Sequence, residues 1–151
     1  MKPKLYDIVS NIINEKIAFN KVIGIKLDCL DEQSVCLKLS MNDLLVGNPV
    51  RRSLHGGVIS TVLDVTGGIT AFVGILKTLD PCTWEHKIEE IFYQFGTIDL
   101  RVDYLRPGLG QSFFATGSLL RLGNKVAVTQ MKLRNQKEDL IAIGTATYIV
   151  G

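Results

Sequence analysis

Cysteine and histidine are scarce in this chain: Cys29, Cys36 and Cys82, with His55 and His86, are all that 151 residues contain. No two cysteines have the C-x-x-C spacing, and two histidines cannot complete a zinc pattern, so no metal site is expected. The cysteines read as reduced, partly buried small residues, which implies the cytoplasm. An excess of one charge is missing too. Seventeen basic and 15 acidic residues leave a formal net charge of +2, and the basic ones are scattered, so a nucleic-acid partner is not expected. The opening MKPKLYDIVSNIINEK lacks the continuous apolar core of a secretion signal. One long apolar run, Val58 to Leu79, comes near the ~20 residues of a membrane span. Asp64, several hydroxyl residues, the glycines and the lack of a second span argue against that reading.

The chain is organised around the stretch that holds this run. Asn48 to Leu54 (NPVRRSL) leads into His55-Gly56-Gly57 and then VISTVLDVTGGITAFVGIL. Apolar residues occupy too many positions for a single stripe, so a helix over about 56–79 has to be surrounded. A carboxylate inside it costs several kcal/mol unless it is paired, hydrogen-bonded, protonated or open to a wet cleft. Asp64 therefore reads either as a structural hydrogen-bond hub or as a working acid. Gly56-Gly57 reads either as a tight entry loop or as a place where a ligand approaches bare amides. The first N–H groups of a helix lack internal partners and carry the positive end of its dipole, so they would polarise a carbonyl and stabilise an oxyanion. Asp64 lies eight residues beyond Gly56, ~12 Å along the axis. It cannot serve a carbonyl held at its own Gly56. Two such helices antiparallel about a two-fold axis would bring Asp64 of one to Gly56 of the other.

In chain order, Leu5, Ile8, Val9, Ile12, Ile13 and Ile17 predict an amphipathic helix over about 5–19. Ile23 to Cys29 and Val35 to Met41 alternate about an Asp31-Glu32 break and predict a hairpin. Lys77 to Phe95 reads as an inserted loop with one helical turn, its Glu85, His86, Glu89 and Glu90 forming a polar lid or surface rather than a metal site. Thr97–Leu105, Ser112–Leu122, Lys125–Asn135 and Leu140–Val150 read as strands of an antiparallel meander, broken at Pro107-Gly108, Gly123-Asn124 and 136–139. The expectation is an α+β fold, one domain over 1–151, with about six antiparallel strands curved around one long helix. Its open edges make dimerisation expected.

Three stretches, LHGGVISTVLDVTGG, GTIDLRVDYLRPG and LRLGNKVAVT, resemble the hotdog-fold acyl-CoA thioesterases of the phenylacetate-pathway (PaaI-like) type, across about Ile23 to Val150. The resemblance implies hydrolysis of fatty or aromatic acyl-CoA without cofactor, a role in lipid metabolism, and sites shared within a homodimer that often pairs into a tetramer. It implies Asp64 as nucleophile or general base and the Gly56 amide in the oxyanion hole. His55 would order that turn or the carbonyl, or make only a helix-entry hydrogen bond. Asn48, seven residues before His55, would position the acid or the water, although Asn48-Pro49 is also a turn signal. Thr97 would hold the attacking water. In a regular strand it shares a face with Asp99 and Arg101, away from the helix, unless a bulge re-aims it. Val62, Phe72 and Tyr104 would line the acyl slot or belong to the core. Gly57, Arg51, Arg52, Arg106, Asn124 and Lys125 are candidates for contacts to CoA. The competing readings are a non-catalytic acyl-CoA sensor or scaffold and a hydratase; for the hydratase, His55 lacks the Asp partner that such enzymes have.

Overall fold

The apolar run forms the longest helix of the computed structural model, which describes residues 5–32 and 34–151. The first four positions of the domain expected over 1–151 lie outside the described residues. The helix, α3, covers Gly56–Thr78. Its length and composition would suffice to cross a membrane, but 56% of that window is buried inside the protein. Its buried hydroxyls are satisfied within the helix, Thr66 donating to the Val62 carbonyl at 2.6 Å and Thr70 to that of Thr66 at 2.7 Å.

Around it wraps a six-stranded antiparallel sheet built from β1 (Lys26–Leu30), β2 (Ser34–Ser40), β5 (Gly96–Tyr104), β6 (Ser112–Leu122), β7 (Val126–Asn135) and β8 (Leu140–Ile149). The order is β1-β2-β6-β7-β8-β5. Five of these strands, all but β1, pack closely against α3, and alternate residues such as Phe113, Ala115, Met131, Leu133, Ala142 and Tyr148 are buried. This is the α+β hotdog arrangement expected. The meander is narrower than expected: β6, β7 and β8 form it, while β5 crosses to the far edge and pairs with β8. A small hairpin, β3 (Val46–Asn48) with β4 (Ser53–Leu54), leads into α3.

Two segments differ from their expected form. The N-terminal helix is broken: α1 (Leu5–Asn11) runs into a π-helical turn (Ile12–Lys16), Ile17 turns extended at ψ 98°, and α2 (Ala18–Ile23) follows. Side chains that look polar and outward in the sequence hold this shape. Asn14 Oδ1 accepts from Leu27 N–H at 3.2 Å, and buried Asn20 donates to the Ile13 carbonyl at 3.2 Å. As α2 continues to Ile23, the first strand begins at Lys26. The expected loop over 77–95 instead contains an eleven-residue helix, α4 (Trp84–Gln94). Trp84, Ile88, Ile91 and Phe92 recur at helical spacing, and Trp84 Nε1 donates to the Leu76 carbonyl at 2.8 Å, pinning α4 to the end of α3. The dense charge between these residues masks the stripe. Glu85, His86, Glu89 and Glu90 lie on its exposed side.

Close approach of α3 to the sheet requires glycine at two places. A Cβ on Gly67 would strike the hydroxyls of Tyr148 and Thr129, and one on Gly117 would strike the hydroxyl of Thr70 and the backbone of Thr66. Overpacking of this kind costs about 1–3 kcal/mol. Gly117→Ala is expected to destabilise the protein by that amount, read as a lower urea midpoint with an unchanged slope.

Candidate active site

Asp64 is half-buried on α3, and two hydroxyls converge on it. Thr97 Oγ1 donates to Asp64 Oδ1 at 3.0 Å. Tyr148 donates to the Asp64 carbonyl at 2.8 Å and reaches Oδ1 at 3.2 Å. Among the described residues no group donates to Oδ2. Thr97 reaches the acid because β5 carries a bulge: Thr97 pairs with Tyr148 and Asp99 with Thr147, so Ile98 is the extra residue. The irregularity breaks the alternation of the strand. Ile98 is turned outward, 57% exposed, and Thr97 faces the helix with its cross-strand neighbour Tyr148. Burial, followed by the nearby Asp64 charge and the hydrogen bond to it, pushes the Tyr148 hydroxyl well above the ordinary phenol range. It therefore stays a neutral donor at any working pH.

At the start of α3 the N-cap is His55, whose Nδ1 accepts from Gly57 N–H at 2.8 Å. A neutral imidazole accepting there carries its proton on Nε2. This bond gives the Gly57 amide an acceptor within the chain itself. The Gly56 amide has no acceptor among the described residues, while its carbonyl takes the Tyr104 hydroxyl at 3.0 Å. Tyr104 thus braces the helix entry instead of lining an acyl slot.

The slot itself is a hollow of about 160 Å³ beside Asp64 and Thr97, walled by Ile17, Val65, Ile69, Phe72, Phe92 and Phe95 among others. Of the three residues read as slot lining or core, Phe72 lines it. Val62 is wholly buried and belongs to the core. Asn48 does not reach Asp64 of its own chain: its Oδ1 caps the following turn, accepting from Val50 and Arg51 N–H at 3.1 and 3.0 Å. Arg51 and Arg52 occupy that same turn, and Arg52 pairs with Asp43. Arg106 donates to the Leu140 carbonyl at 2.9 Å. Asn124 and Lys125 lie at the β6–β7 turn, past Leu119 and Leu122, which pack by Gly74 at the other end of α3 from Gly56.

Tyr148 and Phe95 are site residues that the sequence reading missed. Tyr148 carried a signal: it keeps step with Ala146 on an inward face, and a buried tyrosine hydroxyl needs a partner. Among the described residues all three cysteines are free. Asp28, Cys29 and Cys36 do cluster across β1 and β2, but burial, then Cys29 and Asp28, push the Cys36 thiol up to about 12.

The curved sheet around α3 defines a protein of the hotdog class, with a carboxylate held by two hydroxyls at the mouth of an apolar slot. Residues 52–142 match the Thioesterase superfamily. The chain is 44% identical over 133 residues to the medium/long-chain acyl-CoA thioesterase YigI of Escherichia coli K12, covering 88% of this chain and 85% of that protein. A crystal structure of a Shewanella oneidensis protein related to the thioesterase superfamily superposes with a TM-score of 0.89 at 42% identity, over 97% of this chain and 95% of that one. E. coli PaaI, from the phenylacetic acid degradation operon, shares the fold with a TM-score of 0.70 at 18% identity, over 93% and 89% of the two chains. The protein belongs to the thioesterase superfamily, and it is a thioester hydrolase.

Tyr148→Phe removes the hydroxyl bridge between β8 and α3. It is expected to cost about 1 kcal/mol of stability, measured by urea denaturation.

Proposed function

We propose that this chain hydrolyses medium- and long-chain fatty acyl-CoA to the free acid and CoA, with Asp64 as general base and Thr97 as the residue that holds the water. The carrying observation is the pair of hydroxyls on Asp64 Oδ1 at the mouth of an apolar slot. Thr97 spends its proton on the carboxylate and keeps lone pairs for a water hydrogen. Such a water lies against the slot, where Oδ2 can take its proton as it attacks the thioester carbon. The carbonyl oxygen becomes the oxyanion, and its donor is the open Gly56 amide at the positive end of α3. Collapse of the tetrahedral intermediate expels the CoA thiolate. The similarity to YigI supports the chain-length class and a place in lipid metabolism.

Gly56 and Asp64 of one chain are too far apart along one helix to act on the same carbonyl, so the site is shared between two subunits of a homodimer. Antiparallel pairing of two α3 helices supplies Gly56 from one and Asp64 with Thr97 from the other, giving two equivalent sites. His55 holds the Gly57 amide and so fixes the turn that presents Gly56. Asn48 acts across the same interface or only caps its turn. Arg51, Arg52 and Arg106, beside the helix start, take the phosphates of CoA, and pairing carries them toward the half of the partner's α3 where Asn124 and Lys125 sit. A further pairing of dimers into a tetramer uses the outer sheet face. The free cysteines support a reducing compartment, the cytoplasm.

Asp64→Asn is expected to abolish thiol release from lauroyl-CoA while the circular dichroism spectrum and oligomeric state are kept. A variant as active as the parent would sink the mechanism. Binding of acyl-CoA by the parent without thiol release would favour a sensor. Thr97→Val is expected to lower kcat by about 100-fold, as misplacing a reacting group by about 1 Å does, with little change in KM. If single turnover in oxygen-18 water labels Asp64 rather than only the fatty acid, the carboxylate is the nucleophile and not the base.

A further inference from the structure

The slot beside Asp64 adjoins a second hollow. Ile17 and Phe92 line both the slot and this larger hollow of about 680 Å³ between the N-terminal segment and α4. The break at Ile17 ends one helical segment and starts the next, which sets this residue at the junction. Phe92 packs on Phe72 with ring centroids 5.0 Å apart, so one aromatic pair stands where the two hollows adjoin. Beyond it the apolar lining continues with Ile8, Ile12 and Ile88.

Size and charge both point to one occupant. The slot, at about 160 Å³, has less than a quarter of the 680 Å³ of its larger neighbour, which therefore offers most of the apolar room for a long chain. Among the described residues, Asp7, Glu85 and Glu89 face the larger hollow with Lys16 as their basic neighbour. That balance disfavours the phosphate-bearing end of CoA and suits an uncharged aliphatic tail. We propose that the groove between the N-terminal segment and α4 receives the distal end of the acyl chain, and that Ile8 and Ile88 set the longest chain accepted. The inference rests on the acyl-CoA reading and adds the tail's path to it.

Hydrolysis-resistant alkyl-CoA thioethers separate the two ideas. Titration calorimetry of the parent with butyl-, octyl- and dodecyl-CoA should show affinity rising through dodecyl, each buried methylene adding up to about fourfold. Ile88→Trp and Ile8→Trp fill the groove from opposite walls, and each should cut the dodecyl-to-octyl affinity ratio at least about tenfold. The parent's crystal structure with dodecyl-CoA should place the tail between α1 and α4, a readout that does not depend on either variant folding. A tail found elsewhere, no rise beyond octyl, or folded variants that keep the parent's ratio would overturn the groove. Thiol release from the matching acyl-CoAs is read in parallel. Turnover with an unmoved ratio refutes the groove alone, and a groove that binds tails in a parent without turnover refutes hydrolysis alone.

Discussion

A helix that is apolar on most of its surface must be enclosed, and this requirement organises the whole chain. The sheet supplies the enclosure by curving five strands against α3, while the N-terminal segment and α4 cover flanks that the strands leave. Glycines at 67 and 117 let the two layers approach closely enough for Tyr148 to touch the helix backbone. Within that enclosure a single carboxylate survives because two hydroxyls compensate for its lost hydration. The polar cluster is therefore a product of the same packing that makes the core, and the two join at Tyr148.

The bulge at Ile98 shows how a local irregularity re-aims a side chain. A regular β5 would turn Thr97 to the outer face with Asp99 and Arg101. One inserted residue reverses its side and brings it within 3.0 Å of Asp64. Ile98 becomes exposed as the cost of that placement. The same edge strand carries Tyr104 to the entry of α3, so both ends of β5 act on the helix, one at its start and one at its acid. In the proposed dimer these two ends serve different sites.

The N-terminal segment and α4 fall outside the six-stranded framework but determine what the slot connects to. Ile17, at the kink after the π-helical turn, lines the hollow that the segment shares with α4, and Trp84 anchors α4 near the end of α3. An unbroken amphipathic helix over 5–19 would place Ile17 on a straight stripe with Ile13. With the break, it stands where the two hollows meet.

Much was legible in the sequence by itself, for a physical reason: burial leaves a periodic trace. The length of α3, the paired strands, their turns and the isolation of Asp64 in an apolar run all follow from hydrophobic pattern and turn chemistry. The motif around His55-Gly56-Gly57 placed the helix entry within a residue. Tertiary structure alone decided what depends on partners distant in sequence. Asn14 and Asn20 look like ordinary polar helix residues until β1 and the core of the N-terminal segment claim their side chains. The stripe of α4 is hidden by its charges until α3 offers it a surface. Whether Thr97 faces the acid turns on one extra residue in a ladder with β8, and periodicity cannot register a bulge that only strand pairing reveals.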